Sequence, residues 1–340
     1  MNRSSFHAKT GPLGLSPAVA GTACCVVSAL GYTGANICMR QLTLSDDLTG
    51  ELDGSGGLWW AIWCVCNKEV VTVAAVGPWL LYRALRRLPT FPSRRALITL
   101  VLVGLAVQLA ANVGAQWAFG VVGLAVAVPA IIGVMLTAGG AMGLLFLGEP
   151  VSRRSVAAIG LLLGSLALLG LAARAAGKTV SAESGLPLIT LGVAAACLAG
   201  AIYALLTTTI RRAATGKTPV STIVFVTTLM GVLSLGPLSI YLLGIEKLLR
   251  TSPGQFAWMY AAGTLNLVAF LAITKGLQLT TVVHVNVLNA SQVAMAAVAG
   301  TLIFAEPRTL WLLAGVGLTI LGVVLIDRPD NADRDADQHV

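Results

Sequence analysis

The sequence has few charged and few aromatic residues. Asp, Glu, Lys and Arg make up 11% of its 340 residues, whereas hydrophobic residues make up 56%, and the mean hydropathy is +0.86. A soluble globular domain carries about 25% charged residues, so this composition excludes that class. Phe, Trp and Tyr make up only 6%, which disfavours a cavity for lipophilic cations, because aromatic rings are the usual partners of such ligands.

Side chains in catalytic or metal-binding spacing are also missing. There are three histidines, of which His7 and His339 lie in polar tails, and the sequence has no H-E-x-x-H, G-x-S-x-G or phosphate-loop pattern. All six cysteines fall within apolar segments, which is not the pattern of a disulfide framework or a metal cluster. We therefore expect no enzyme activity, no cofactor and no metal.

What the sequence does contain is long apolar runs. A membrane span needs about 20 predominantly apolar residues, and these runs lack the alternation of barrel strands, so helices are predicted. The fold class is an all-α membrane protein with ten transmembrane helices, at residues 17–39, 58–82, 96–118, 121–147, 155–173, 186–210, 220–243, 256–274, 281–304 and 309–326. Pro78, Pro129 and Pro237 are expected to interrupt the second, fourth and seventh spans.

The two halves of the chain repeat one another. Gly143, Leu145, Glu149, Pro150, Gly160 and Leu161 recur 157 positions later, and Gly21, Ala23, Tyr32 and Arg40 recur 171 positions later. We therefore divide the chain into a tail (1–16), a first repeat (17–178) with an acidic insert (45–57), a second repeat (186–326) and a polar tail (327–340). Because each repeat has five spans, the second enters the membrane inverted. Secondary transporters are often built this way.

The loop charges predict the orientation. With the N-terminus inside, 15 Lys and Arg residues lie in inner segments and six in outer ones, which follows the positive-inside rule. Both termini are then cytoplasmic, and the insert and the Glu306-Pro307 turn face out, whereas the Glu149-Pro150 turn faces in. We expect a plasma membrane, such as the bacterial inner membrane. The net charge of +8 is explained by these loops, so nucleic acid is not an expected partner.

Polar side chains recur at helical spacing inside several spans. The third span carries Gln108, Asn112 and Gln116 on one face. Ser28, Tyr32, Asn36 and Arg40 form a similar stripe in the first span, and Tyr203, Thr207 and Arg211 form one in the sixth. Lipid cannot satisfy these groups, so they either line a cavity or join helices together. The arginines lie near membrane ends, where snorkelling is the alternative.

The second, eighth and ninth spans add further candidates. Lys68 and Glu69 lie near the middle of the second span, and Asn266 lies in the eighth. Such charges are costly in a membrane and normally face inward. Glu69 could carry a proton and Lys68 could hold an anionic group, or the two could form a structural pair. In the ninth span, His284, Asn286, Asn289 and Gln292 form a polar band. There, His284 is either a structural donor or a ligand or proton relay.

Several segments resemble the EamA-type permeases of the drug/metabolite transporter superfamily. They are FLGEPVSRRSVAAIG at Phe146–Gly160, FAEPRTLWLLAGVG at Phe304–Gly317, GYTGANICMRQL in the first span and KGLQLTTVV at Lys275–Val283. The resemblance implies ten helices in two inverted repeats, alternating access, and a central cavity lined mainly by spans 1, 3, 4, 6, 8 and 9. It brings no catalytic residues. Leu136 and Val293 replace a proline that is usual in the family.

These features predict a secondary active transporter of a small polar metabolite, such as an amino acid or a related compound. Its expected partners are that substrate, a proton as candidate coupling ion, membrane lipid, and a second copy if it forms a homodimer. The alternative is a passive channel, or a lipid or nucleotide-sugar translocator of the same fold. The predicted substrate-binding residues are Tyr32, Asn36, Lys68, Glu69, Gln108, Asn112, Gln116, Tyr203, Asn266, His284, Asn286, Asn289 and Gln292.

Overall fold

The computed structural model describes residues 17–43, 56–88, 90–122, 124–148, 153–175, 186–215, 218–303 and 310–327. The two polar tails, most of the acidic insert and both Glu-Pro turns lie outside these described residues. Within them, every regular element is a helix.

Ten principal helices follow one another along the described chain. They are α1 (Pro17–Thr43), α2 (Gly56–Leu85), α3 (Arg94–Val121), α4 (Leu124–Leu147), α5 (Arg153–Ala175), α6 (Leu186–Thr215), α7 (Val220–Leu243), α8 (Pro253–Leu279), α9 (Val282–Asn289 and Ser291–Ile303) and α10 (Leu310–Asp327). A one-turn helix, Ile245–Leu249, joins α7 to α8.

Eight of these helices are long and apolar enough to cross a membrane: α1 to α4 and α6 to α9. Within the described residues, α5 and α10 contribute the shorter apolar stretches Val156–Ser165 and Leu313–Gly322. These two helices pack on each other. The Ser165 hydroxyl lies 2.6 Å from the Gly315 carbonyl and 2.5 Å from the Thr319 hydroxyl, so polar contacts inside the membrane bundle help to hold the pair.

Local sequence signals explain where some helices begin but not where they are irregular. Ser252 caps α8 in a reciprocal capping box with Gln255. The prolines at 78, 129 and 237 lie inside continuous helices, so the expected interruptions are not seen. Neighbouring helices and local backbone adjustments can satisfy the carbonyls that proline frees in a membrane helix. The irregular sites are elsewhere: α3 contains a π-helical turn at Val107–Asn112, and α9 is broken at Ala290.

The bundle is organised by close helix pairs, and two of them are antiparallel in the same way. In the first pair, Gly21 near the start of α1 lies against Leu279 near the end of α8. In the second, Gly192 near the start of α6 lies against Val121 at the end of α3. Helices α4 and α6, and α2 and α7, also pack tightly. The pairs α1/α8 and α3/α6 face one another across the centre of the molecule.

Candidate functional site

A cavity of about 150 Å³ lies between these helices. A single water needs about 10–15 Å³ by the same measure, so the space can hold a small molecule or several waters. Its wall is polar on α3 and α9 and mainly apolar on α4. The lining includes Val128, Ile131, Ile132 and Met135 from α4, and Leu206, Phe270 and Ile273 from α6 and α8.

The structure brings together eleven of the thirteen predicted site residues in the wall of this cavity. They come from α1, α2, α3, α6, α8 and α9, and nothing in their sequence positions requires such convergence. They are Tyr32, Asn36, Lys68, Glu69, Gln108, Asn112, Gln116, Tyr203, Asn266, Asn289 and Gln292. The helices expected to line the cavity all do so, and α2 and α7 contribute as well.

A chain of hydrogen bonds connects the polar residues of α3 to α6 and α7. Gln108 Nε2 donates to the backbone carbonyl of Thr227 at 3.1 Å, and Asn112 Nδ2 donates to Gln108 Oε1 at 2.7 Å. The Tyr203 hydroxyl then donates to Asn112 Oδ1 at 2.6 Å. Because a carbonyl can only accept, the Thr227 contact fixes the orientation of both amides. The amide nitrogens and oxygens of Gln108 and Asn112 are therefore assigned by these contacts.

The π-helical turn of α3 contains both amides of this chain, Gln108 and Asn112. Single π turns in α-helices often occur at functional sites. Helix α7 packs closely against Gln108 because residue 231 is a glycine. A Cβ at Gly231 would lie only 2.8 Å from Gln108 Cδ. Thr227 and Gly231 were not predicted as site residues. The available signal was a pair of adjacent threonines, at 227 and 228, in a span that also carries Ser221, Thr222, Ser234 and Ser239.

Lys68 and Glu69 contact each other instead of separate partners. Lys68 Nζ lies 3.2 Å from Glu69 Oε1, and the Glu69 side chain is only 1% exposed. Asn112 Nδ2 approaches the same oxygen at 3.5 Å. The pair adds no net charge to the cavity, but it places a carboxylate and an ammonium beside the amides of α3.

Other predicted residues are held by contacts at the edges of the cavity. Gln116 Nε2 donates to the Met39 carbonyl at 3.2 Å, which ties α3 to α1. The Ser28 hydroxyl donates to Asn289 Oδ1 at 3.4 Å, which ties α1 to α9. These polar side chains thus join helices to one another and also line the cavity. The two interpretations of the polar stripes are compatible.

His284 and Asn286 are predicted site residues that do not line this cavity. His284 Nε2 lies 3.2 Å from the Thr22 hydroxyl of α1. Asn286 is 1% exposed and packs against Gly139 of α4. Residues at i and i+3 are rotated by about 60° on a helix, and α9 breaks after Asn289. Asn286 therefore faces a helix contact, whereas Asn289 and Gln292 face the cavity.

Arg40 and Arg211 do more than extend toward the membrane surface. Arg40 Nη1 donates to the Phe119 carbonyl near the end of α3, and Arg211 Nη1 donates to the Leu277 carbonyl near the end of α8, each at 2.8 Å. Phe119 lies at the end of the bundle where α6 begins, and Leu277 lies at the end where α1 begins. The two arginines therefore act at opposite ends of the bundle.

In the described part of the chain, His, Cys, Asp and Glu side chains do not assemble into a group of three or more that could hold a metal ion. What the arrangement offers is recognition of a polar small molecule. Amides supply donors and acceptors, the Lys68–Glu69 pair supplies both signs of charge, and the wall of α4 supplies apolar contact.

Comparison with known proteins shows that part of the chain is similar to a transporter family. Residues 190–327 match the model of the EamA-like transporter family, which is part of the drug/metabolite transporter superfamily. This confirms the resemblance found in the sequence. No curated protein matches the chain. A solved crystal structure aligns with 90% of this chain and 96% of its own, at a TM-score of 0.63 and 15% identity, a likeness that shows the fold alone.

Proposed function

Because residues 190–327 match the model of the EamA-like transporter family, we propose that this protein is a secondary active transporter of a small polar metabolite. The chain is an integral membrane protein, and transporters of this family are generally not enzymes. Alternating access of the central cavity to the two sides of the membrane is the proposed mechanism. A proton is the proposed coupling ion.

The observation that carries this proposal is the convergence of eleven polar side chains on one cavity. Hydrocarbon would leave such groups unsatisfied, so a membrane protein retains them where water or a polar ligand is present. A cavity with amides and both signs of charge suits a zwitterion, such as an amino acid or a related compound. Its few aromatic residues, Tyr32, Phe119, Tyr203 and Phe270, do not form the cage that a lipophilic cation would require.

Two inverted five-helix repeats, 17–178 and 186–326, are the proposed architecture. Equivalent contacts support it. Arg40 and Arg211 are 171 positions apart, as are Gly21 and Gly192, while their partners Phe119 and Leu277 are 158 apart, as are Val121 and Leu279. The same two contacts thus recur with constant spacing and at opposite ends of the bundle. Such a duplication supplies two related packings for one central site.

The proposed location is a plasma membrane, with both termini in the cytoplasm. Arg83, Arg86, Arg87, Arg94 and Arg95 surround the loop between α2 and α3, whereas the equivalent loop between α7 and α8 carries only Lys247 and Arg250. This difference supports an inner position for the first loop.

Reconstitution tests the proposal. Proteoliposomes containing the purified protein are exposed to isotope-labelled amino acids and labelled cell extract, with and without an imposed pH gradient, and their contents are identified by mass spectrometry. We expect a polar metabolite to accumulate above its external concentration, relative to protein-free liposomes. Equilibration without accumulation under any gradient would indicate a passive channel and would overturn active transport.

Substitutions in α9 connect the measured transport to the cavity. Asn289→Leu should weaken the apparent affinity for the accumulated metabolite, because it removes an amide from the wall. Gln278→Leu is a matched amide control, since Gln278 lies outside the cavity and contacts Lys275 near the end of α8. Equal affinities in the two variants would mean that α9 does not bind the substrate.

A further inference from the structure

Two buried oxygen atoms in the cavity wall have no hydrogen-bond partner among the described residues. They are Glu69 Oε2 and Gln116 Oε1. Both residues line the cavity, and their side chains are more than nine-tenths buried. Each is an acceptor only, provided that the Glu69 carboxyl is ionised.

The surrounding contacts fix this assignment. Gln116 uses its Nε2 to donate to the Met39 carbonyl, so the atom left over must be its oxygen. Lys68 Nζ and Asn112 Nδ2 both approach Glu69 Oε1, which leaves Oε2 for another donor. Asn112 lies one turn before Gln116 on α3 and contacts Glu69 on α2, so the two acceptors lie within the same part of the wall.

We propose that this part of the cavity binds a protonated amine, whose N–H groups donate to Glu69 Oε2 and Gln116 Oε1. The inference rests on the proposed transport function and defines its substrate as a compound with a free amino group. An unpaired buried acceptor is costly, and an ammonium removes that cost at both atoms. It also binds a carboxylate through strong charge-assisted hydrogen bonds. A phosphate or a carboxylic acid without an amine would leave both of these acceptors unpaired.

Paired ligands test the inference directly. The thermal unfolding of the purified protein is measured with each of the twenty common amino acids and with its N-acetyl derivative, which lacks the charged amine. We expect at least one amino acid to raise the unfolding temperature and its N-acetyl partner to have no effect. Equal stabilisation by both members of a pair, or none by any free amine, overturns the inference.

Substitution of the carboxylate supplies the second test. Glu69→Gln keeps the shape of the side chain and should weaken the affinity for the stabilising amine about tenfold or more. Glu246→Gln is the matched control, because Glu246 is exposed in the one-turn helix before α8. Unchanged affinity in Glu69→Gln overturns the role of Glu69. If proteoliposomes accumulate only amine-free compounds, the transport function stands and the amine inference fails.

A second inference follows independently from the two arginine bridges. Helix α1 packs along α8, and α3 packs along α6. The Arg40 bridge joins α1 to α3, and the Arg211 bridge joins α6 to α8. Both bridges therefore connect the same two helix pairs, one at each end of the bundle. The cavity lies between them, with Met39 and Phe119 toward one bridge and Ile210 and Ile273 toward the other.

We infer that each bridge is a latch for one mouth of the cavity and that transport opens them in alternation. The carbonyls near a helix C-terminus carry partial negative charge, and a guanidinium is well suited to hold such a carbonyl across a gap. With both bridges formed, the two helix pairs are held together at both ends of the bundle. Breaking one bridge lets the pairs separate at that end only.

Side-specific labelling tests the latches. A single cysteine is placed in the cavity wall by Ala115→Cys in a protein whose native cysteines are replaced, and a membrane-impermeant thiol reagent is applied from each side. Arg40→Gln should raise the labelling rate about tenfold from the side where α1 ends, and Arg211→Gln should do so from the other side. Arg→Lys variants, which keep the charge, should show smaller increases.

The control for this experiment is Lys275→Gln, which removes a positive charge from an exposed side chain near the end of α8. Its labelling rate should match that of the parent protein. An increase from both sides in one arginine variant, or no increase in folded variants as judged by thermal unfolding, overturns the latch mechanism.

Discussion

The amide of Asn112 connects four parts of the cavity wall. It donates to Gln108 and Glu69 and accepts from Tyr203. Its amide nitrogen and its amide oxygen thus both have partners, on α2, α3 and α6, and the Thr227 carbonyl of α7 anchors the chain. Networks of this kind rigidify a polar interior when every member is satisfied. The wall is therefore preorganised in most places and leaves specific acceptors for a ligand.

Removing the Tyr203 hydroxyl should destabilise the protein. In Tyr203→Phe, Asn112 Oδ1 loses its donor at 2.6 Å, and we expect the free energy of unfolding to fall by about 1 kcal/mol. Tyr241→Phe is the matched control, because Tyr241 is 85% exposed and should change stability by less than about 0.5 kcal/mol. Unfolding of both purified variants in detergent measures the difference. Equal stabilities would show that the hydroxyl bond contributes nothing.

For single residues, the placement of polar side chains inside the spans was sufficient to predict most of the polar part of the wall. Gln108, Asn112 and Gln116 share a face because they are four residues apart, and the cost of exposing amides to lipid directs that face inward. Asn286 shows the limit of this reasoning. It belongs to the same periodic band as Asn289, but close packing of α9 against Gly139 turns it away from the cavity. A tertiary contact of this kind has no periodic signature.

At the scale of helices, glycine residues allow neighbouring helices to pack closely at their crossings. At Gly31 of α1, a Cβ would lie 2.9 Å from the Leu265 carbonyl of α8. At Gly200 of α6, it would overlap the Ile131 carbonyl of α4 and lie 3.0 Å from Val134 Cβ. Small residues at such crossings are the usual means by which membrane helices gain packing contacts. The helix pairs that enclose the cavity are therefore fixed by backbone contact.

Gly200→Ala should separate α4 from α6. Because the added methyl meets a backbone carbonyl, which cannot rotate away, we expect a loss of about 1–3 kcal/mol in the free energy of unfolding. Gly160→Ala on α5 is the control, since no neighbouring atom of the described residues lies within 4 Å of its Cβ position and alanine is the better helix former. Thermal unfolding should rank Gly160→Ala at or above the parent and Gly200→Ala below it. The reverse order would contradict this account of the crossing.

The lengths and order of the helices could be predicted from apolar runs, but their irregularities could not. Pro78, Pro129 and Pro237 were expected to interrupt helices that prove continuous. The π turn at Val107–Asn112 and the break at Ala290 occur in sequences without proline or glycine. Both lie beside the cavity, so packing around the site, and not local propensity, accounts for them better.

At the scale of the whole molecule, the helix contacts are repeated in the two halves, but the polar residues of the cavity are not. Equivalent contacts recur at opposite ends of the bundle, yet the polar side chains are distributed unequally. The charged pair comes from α2 in the first half, whereas Asn266, Asn289 and Gln292 come from α8 and α9 in the second. Duplication would explain the framework, and divergence of the halves would explain the site. The proposed inverted orientation of the repeats can be tested directly.

That orientation predicts that equivalent loops lie on opposite sides of the membrane. Leu88 in the loop after α2 and Leu249 before α8 are exposed leucines in corresponding connections, 46% and 80% exposed. In a protein whose native cysteines are replaced, an impermeant maleimide should label Leu249→Cys in intact cells and Leu88→Cys only after permeabilisation. In the proposed architecture five spans separate the two loops, and an odd number of spans places the loops on opposite faces. Labelling of both from one side would mean that a helix between them does not cross, which would remove the basis for alternating access through two inverted repeats.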